Sequence, residues 1–368
     1  MRYPFNRAPH LVLGLLVVAV ALGAGFWGCS RDSAPMAPQT QDVGLFTASN
    51  PMVQSVMAVQ DRHTARLMAD PEIIGTATTL TDDGRLAVMV LATTDKAAKG
   101  IPNELDGVPV VVHRTDKIVA MKTTAASHTA KQTPPIQLGT SGGWRYDLAN
   151  GYCCGGTLGS LINVGGQKRI LSNYHVFEAD IVAGGNSRVA TTGDYVIQPG
   201  LIDVNCAATS AQNVATLVVS HSLPNNNVDC SSATIITGMV ADNGAILEVG
   251  TISATTVAAS VGQYVKKSGR TTGLTRSSVS GLNASVSITY ENECAGGTAF
   301  TKTFTGQILV TNKRSSFLAG GDSGSLMVQD VSTNPKAVGL LFAGSTSLAV
   351  ANPIGQVLSF FGATMVGQ

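Results

Sequence analysis

Residues 319–325 read Ala-Gly-Gly-Asp-Ser-Gly-Ser and directly precede the apolar run Leu-Met-Val at 326–328. A serine hydroxyl is a poor nucleophile, so it needs a base beside it and backbone N–H groups aimed at the developing oxyanion. Glycines permit a turn that presents two such groups, here those of Gly321 and Ser323. A second apolar run at 337–344 predicts a strand, a turn and a strand around a candidate nucleophile. The same short string also fits an ordinary turn in a glycine-rich chain.

His175 is the candidate base for that serine. Residues 156–162 and 169–176 are apolar segments separated by the turn Gly-Gly at 165–166, which predicts a hairpin that delivers His175 from its end. A lone histidine near a strand is more often structural, but a nearby serine nucleophile requires a general base. We expect surface or packing positions for four other histidines: His63, His113, His128 and His221.

The composition favours an all-β main domain. The chain has 368 residues with 40 glycines, and charged residues make up only 13% of it. From Gly143 onward, short Val, Ile, Leu and Thr runs alternate with Gly, Asn and Asp turns, without a long amphipathic helix until 353–361. Because 24 Lys and Arg balance 23 Asp and Glu, the chain has no strong field to attract nucleic acid or an acidic membrane.

The histidine segment and the Gly-Asp-Ser-Gly-Ser string at 321–325 together resemble the trypsin-like, chymotrypsin-fold serine peptidase superfamily over residues 150–362. The runs 198–200 and 265–275 resemble a bacterial branch of it. The resemblance implies a mainly β, chymotrypsin-like double six-stranded β-barrel, preceded here by a small α+β domain.

The same resemblance implies a serine endopeptidase that hydrolyses peptide bonds through a Ser-His-Asp triad and an acyl-enzyme. Its partner would be a protein or peptide substrate, and we expect a monomer without cofactor. Two alternatives stay open, since a fold does not dictate function. One is a catalytically silent binding or adhesion module, and the other is a peptidase acting mainly on its own propeptide.

The third triad member must be an acid that orients the imidazole. We choose Asp229 for the local sequence at 227–235 and for its place between the histidine and the serine, the chain order that the superfamily shows. Asp194 and Asp203 are the alternatives. By resemblance, Asp322 would shape the oxyanion loop.

The specificity pocket is also inferred from the resemblance. Six residues before the nucleophile, where the superfamily often places the pocket floor, stands Phe317 rather than an acid. We therefore expect an uncharged, apolar primary substrate residue. The wall would come from the second strand: Leu341, Phe342, Ala343 and Gly344.

The first 29 residues resemble an export signal. Arg2 and Arg7 precede an uncharged apolar run at 11–27, and Gly-Cys follows at 28–29, as in a bacterial lipoprotein signal that ends in lipidation of Cys29. Residues 30–44 would be a tether. We expect an exported protein, either lipid-anchored in the periplasm or at the cell surface, or else secreted. Membrane contact would then be limited to this signal or anchor.

Residues 45–121 predict a small α+β domain that is either propeptide-like or a mere accessory. Asn-Pro at 50–51 starts a helical pattern that continues to 69, and strand-like runs follow at 73–80, 86–93 and 108–113: together one helix and three strands. Residues 122–142 would be an exposed linker before the peptidase domain at 143–368. Lys131 lies there in a stretch suited to processing.

If Cys29 carries lipid, five cysteines remain in an oxidising compartment, so at most two disulfides form. We expect one of Cys153 and Cys154 to pair with Cys206. A pairing of Cys230 with Cys294 is the weaker expectation. No spacing fits a zinc site, so we expect no metal.

Overall fold

The computed structural model describes residues 46–119, 127–149, 152–178, 190–290 and 300–368. The predicted signal, tether and lipidation site at Cys29 lie outside these residues, as does Cys294. No helix in the described ranges has the length and hydrophobicity that crossing a bilayer requires.

The N-terminal part combines one long helix with short strands, as the sequence predicts. The side chain of Asn50 caps the helix by accepting a hydrogen bond from the Met52 N–H (2.8 Å). Pro51 fits the first helical position because it has no N–H that would need a partner there. Val56 and Val59 of the helix pack in one apolar cluster with strand residues. The elements are α1 (Pro51–Leu67), β1 (Ile73–Leu80), β2 (Leu86–Ala92), α2 (Asp95–Gly100), β3 (Glu104–Leu105) and β4 (Val108–Arg114).

The middle part consists of short strands and one short helix. These elements are β5 (Thr140–Trp144), β6 (Leu148–Ala149), β7 (Tyr152–Cys153), β8 (Gly156–Leu158), β9 (Ser160–Val164), β10 (Gln167–Ser172), α3 (Tyr174–Phe177), β11 (Tyr195–Gln198), β12 (Gln212–Val218), β13 (Ser231–Ile235), β14 (Ala245–Ile246) and β15 (Gly250–Thr251).

The C-terminal part has longer strands, then the expected amphipathic helix. The elements are β16 (Tyr264–Gly269), β17 (Gly273–Tyr290), β18 (Phe300–Thr311), β19 (Leu326–Gln329), β20 (Ala337–Gly344), β21 (Leu348–Pro353), α4 (Ile354–Phe361) and β22 (Ala363–Met365).

One eight-stranded sheet forms the first barrel, in the order β22-β9-β10-β13-β12-β11-β5-β8. Strands β8 and β9 are two halves of one bent strand interrupted only at Gly159, so the sheet returns on itself after six positions. A Cβ on Gly159 would lie 2.0 Å from the Gly324 carbonyl oxygen. Only glycine allows the bend to approach the loop that carries the candidate nucleophile.

The second barrel lies within a ten-stranded sheet. Its six strands follow the order β16-β19-β20-β21-β18-β17, and a further pairing of β16 with β17 closes the ring. The predicted fold class, mainly β with a chymotrypsin-like pair of six-stranded barrels and a small α+β part before them, is confirmed.

The N-terminal strands extend the sheet of the second barrel. Strand β1 pairs antiparallel with the second half of β17, with Gly75 opposite Val286, and β2 and β4 continue outward from β1. The described residues belong to one unit spanning 42–368. The two predicted domains therefore share one sheet.

The expectation of an exposed linker over 122–142 is wrong for its described part. Ile136 and Leu138 are fully buried in the core of the first barrel, because their backbones bridge to Val240 and Ile246. Lys131 stays exposed, and its Nζ donates a hydrogen bond to a backbone carbonyl.

Candidate active site

Strand pairing brings His175 and Asp229 together. His175 lies in α3, three residues after the end of β10, and Asp229 lies two residues before β13. Because β10 and β13 pair with Ser172 opposite Ser231, the residues just beyond them meet. His175 Nδ1 and Asp229 Oδ2 are 2.6 Å apart, and both side chains are buried.

Asp229 is held by hydrogen bonds on every side. The Tyr174 N–H donates to Oδ1 (2.7 Å) and the Tyr290 hydroxyl to Oδ2 (2.8 Å). Its own backbone is fixed by Asn352, which accepts from the Asp229 N–H, and by Asn173, which donates to its carbonyl. A carboxylate so fixed keeps the proton of the imidazole on Nδ1 and leaves Nε2 with its lone pair.

Tyr290 is a residue that sequence reasoning missed. Burial raises the pKa of its hydroxyl well above the ordinary value, and the neighbouring Asp229 charge adds to the effect. The phenol is therefore a permanent donor. Its ring also contacts the His175 ring edge to face, with centroids 5.9 Å apart. A tyrosine at the end of a long strand carries no local signal of this role.

The two alternative acids serve elsewhere. Asp194 Oδ2 accepts a hydrogen bond from the Trp144 indole (3.0 Å). Asp203 forms a buried ion pair with Arg270 (2.5 Å). Of the three acids considered, the structure brings Asp229 to the imidazole.

Residues 319–325, which we call the serine loop, are fixed by Asp322. Its Oδ1 accepts from the N–H groups of Thr271 (2.9 Å) and Thr272 (3.1 Å), and its Oδ2 from the Thr272 hydroxyl and the Ala319 N–H. Asp322 also forms an ion pair with Lys267 (3.4 Å), with both side chains fully buried. The predicted structural position of Asp322 agrees with these contacts.

Lys267 is the second residue that sequence reasoning missed. Its ammonium donates to Thr272 and to the Gly273 carbonyl. Burial lowers the pKa of Lys267, and the attraction of Asp322 offsets this only in part. The adjacent lysines at 266–267 carry no local signal that tells which of the two is buried against the serine loop.

The peptide planes of the serine loop orient the expected oxyanion donors. The Gly320 carbonyl accepts from the Thr271 hydroxyl (2.5 Å), and the Asp322 carbonyl from the Ser325 N–H (3.0 Å). Because each peptide bond is planar and trans, the N–H groups of Gly321 and Ser323 point away from these contacts. Gly321 has a φ of 92°, which favours glycine.

The serine and the histidine lie in neighbouring segments. A Cβ on Gly156 would lie 2.6 Å from Val176, next to His175, and 2.9 Å from the Ser323 carbonyl oxygen. The Ser323 hydroxyl donates to the Phe342 carbonyl (3.3 Å). His175 Nε2 is buried and has no hydrogen-bond partner among the described residues. The hydrogen bond from serine to histidine is therefore not formed in this conformation.

The residues of the predicted specificity pocket divide between two cores. Phe317 and Leu341 pack in the core of the second barrel, and Phe317 is 1% exposed. Phe342 and Ala343 pack instead in the cluster that contains Tyr290. Gly344 pairs through its backbone with Val119. The pocket stays a prediction.

The cysteines form the disulfide between Cys153 and Cys206 that the sequence suggests. Cys154 is also disulfide-bonded. Cys230 is free and fully buried, so its expected pairing with Cys294 is wrong. Burial, followed by the charges of Asp229 and a nearby glutamate, raises the pKa of the Cys230 thiol well above its ordinary value. Burial and the raised pKa both oppose formation of the reactive thiolate.

The four other histidines named in the sequence analysis occupy packing or surface positions. Their contacts are His63 with Asp106 (3.0 Å), His113 with Ser347 (3.3 Å), His128 with Gly139 and Glu248 (3.0 and 2.8 Å), and His221 with Glu178 (3.7 Å).

Two barrels with a buried His-Asp pair and a glycine-flanked serine place the chain among proteins of chymotrypsin-like fold. A family model described as the Nal1 C-terminal domain matches residues 211–352, which include Asp229 and Ser323 but not His175. A comparison with curated proteins found no match.

Several solved structures are similar at low identity. A glutamic acid specific serine protease, which uses a histidine triad in substrate binding, is 19% identical over 62% of this chain and 100% of its own, with a TM-score of 0.41. Thermobifida fusca protease A is 21% identical over 58% and 92%, with a TM-score of 0.38. Cellulomonas bogoriensis chymotrypsin is 21% identical over 58% and 91%, with a TM-score of 0.36. Because these identities are low, any activity of this chain has to be argued from the positions of its own side chains.

Proposed function

We propose that the chain is a serine endopeptidase in which Ser323 is the nucleophile, His175 the base and Asp229 the acid that orients it. The observation that carries the proposal is the buried 2.6 Å contact between His175 Nδ1 and Asp229 Oδ2. It leaves the other imidazole nitrogen available, in the segment next to the serine loop. A buried acid-imidazole pair beside a glycine-flanked serine is the arrangement that acyl transfer needs.

The reaction depends on these positions. Ser323 Oγ gives its proton to His175 Nε2 and bonds to the substrate carbonyl carbon, whose oxygen becomes an oxyanion. The N–H groups of Gly321 and Ser323 would stabilise that oxyanion. The scissile C–N bond then breaks as His175 returns the proton to the leaving amine. Water resolves the acyl-enzyme by the same steps and restores Ser323.

One movement is required before the first step. The Ser323 hydroxyl must exchange the Phe342 carbonyl for His175 Nε2 as its hydrogen-bond acceptor. Catalytic hydrogen bonds are often formed only when substrate is bound. The same observation also favours the alternative of a silent binding module, because a serine that stays on Phe342 would not react.

A small fluorophosphonate probe separates the two. It phosphonylates a serine only when a base activates it, so the folded wild-type protein should be labelled and Ser323→Ala should not. Ser325→Ala is the matched control in the same loop and should keep the label. Asp229→Asn should slow labelling by about a thousandfold or more, because it favours the wrong imidazole tautomer. Absence of label on folded wild type refutes the proposal.

We also propose that the protein works outside the cytoplasm. The disulfide between Cys153 and Cys206 supports this, because such bonds persist in oxidising compartments. Lipid labelling of cells that express the wild type or Cys29→Ala tests the anchor, and cell fractionation tests the export. Lipid label on Cys29→Ala as well as on wild type would contradict lipidation of Cys29. A protein found in the cytoplasmic fraction would contradict export.

A further inference from the structure

Val119, at the end of the N-terminal part, pairs with β20, the strand to which the Ser323 hydroxyl donates a hydrogen bond. The Val119 N–H donates to the Gly344 carbonyl (3.1 Å), and the Gly344 N–H donates to the Val119 carbonyl (3.0 Å), in an antiparallel bridge. Two residues earlier in β20, the Phe342 carbonyl accepts from the Ser323 hydroxyl. Val119 therefore pairs about 7 Å along the strand from the nucleophile contact.

Residues 113–119, which we call the blocking segment, run along the 344–347 stretch and make further contacts with it. The Thr115 hydroxyl bonds with the hydroxyls of Ser345 (2.7 Å) and Ser347 (2.9 Å), and the Thr346 hydroxyl donates to Asp116 (2.6 Å). Side chains as well as backbone thus hold the segment in place.

The blocking segment is also anchored by burial. Ile118 is fully buried in the cluster that contains Phe342, Ala343 and Tyr290. In this cluster, the Phe342 carbonyl accepts the Ser323 hydrogen bond and Tyr290 donates to Asp229. Burial of Ile118 therefore adds to the hydrogen bonds that hold the segment.

The direction of the blocking segment matches that of an approaching substrate. Because it is antiparallel to β20, the chain at Val119 runs from Gly344 toward Phe342, and so toward Ser323. An extended peptide with its scissile bond at Ser323 can add to this strand through the N–H and C=O of Gly344. In the structure both groups are already paired with Val119.

We propose that the blocking segment occupies the strand position where an extended substrate would bind, so that the folded chain is a self-blocked form of the enzyme. This inference rests on the proposed function of Ser323. The occupant is the chain itself, tethered through strands β1, β2 and β4. Extended substrates must displace the segment, whereas a small reagent that needs only the serine does not.

The test compares two probes on the full chain. A small fluorophosphonate reports the reactivity of Ser323, and a tripeptidyl phosphonate with uncharged apolar side chains reports access to the strand. Val119→Pro removes the N–H that donates to Gly344, and Val119→Ala keeps it as the matched control. We expect the tripeptidyl probe to label Val119→Pro about fivefold faster than wild type or Val119→Ala, as for one hydrogen bond. The small probe should label all three equally.

A second variant covers the case in which the proline disturbs folding. Thr115→Val keeps the side-chain shape and removes the hydroxyl contacts, and should act in the same direction. Equal tripeptidyl labelling of wild type, Val119→Pro and Thr115→Val would overturn the self-blocked form while leaving the endopeptidase proposal intact. Absence of small-probe label on every folded form would instead refute the endopeptidase proposal.

Discussion

The buried ion pair of Lys267 and Asp322 fixes the serine loop, and its removal gives the sharpest test of the site. In Lys267→Met the ammonium is lost while the Asp322 carboxylate stays buried. At 3.4 Å and an effective dielectric constant of about 20, the lost attraction is about 5 kcal/mol. Breaking such a pair costs about 3 to 5 kcal/mol, since the remaining charge is uncompensated.

The structure places the expected cost at the lower end, about 3 kcal/mol. Asp322 retains four donors, from Thr271, Thr272 and Ala319, after the lysine is gone. Burial lowers the pKa of Lys267 despite the attraction of Asp322, so replacing the lysine also removes a desolvation cost.

Denaturation by urea measures this prediction. Lys266→Met is the matched control, because the neighbouring ammonium donates to the Val331 carbonyl (2.7 Å) and its loss should cost only about 1 kcal/mol. The double variant Lys267→Met, Asp322→Asn should recover part of the loss, because no charge is left unpaired. Equal costs for Lys267→Met and Lys266→Met would refute the reasoning.

Three further predictions concern Tyr290, Cys153 and His113. Tyr290→Phe removes a donor from the Asp229 carboxylate, so it should lower the free energy of unfolding by about 1.5 to 3 kcal/mol and slow fluorophosphonate labelling; unchanged stability and labelling would contradict the assigned role. Cys153→Ser opens a disulfide that joins residues 53 apart, and chain entropy predicts a loss of about 4 kcal/mol in urea denaturation without reductant; equal free energies of unfolding for wild type and variant would contradict this prediction. Burial lowers the pKa of His113 below its ordinary value of 6.5, so the unfolded chain binds a proton more readily than the folded one. The free energy of unfolding should therefore fall as the pH drops from about 7 to about 5, and His113→Asn should reduce that fall; an identical pH dependence in the variant would count against it.

The sequence was sufficient for elements whose signal is local. Asn-Pro at 50–51 marks the start of α1, and a hairpin pattern delivers His175, because capping and strand alternation act between near neighbours in sequence. Chain order alone does not separate Asp229 from Asp203, because both lie between His175 and Ser323, so the choice depended also on the local sequence at 227–235. The structure then supplied the distance to the imidazole.

The sequence was insufficient for contacts between distant segments. Strand β1 shows the strand pattern, but nothing local says that its partner is β17, about 200 residues later. The polar, proline-containing composition of 122–142 predicts an exposed linker. Ile136 and Leu138 are nevertheless buried, because alternate residues of such a stretch can still face a core. The partnership of Lys267 with Asp322 likewise depends on a fold that composition cannot specify.

The position of β1 between β17 and β2 has a consequence for any maturation of this protein. A single backbone cut after Val119 would yield two chains, yet both would remain in one continuous sheet. The side chain of Gln60 would still donate to the Asn283 carbonyl (2.8 Å), and the Thr79 hydroxyl to the Ser280 carbonyl (2.7 Å). Nicking would thus produce a noncovalent heterodimer whose smaller fragment is retained like a complementing peptide.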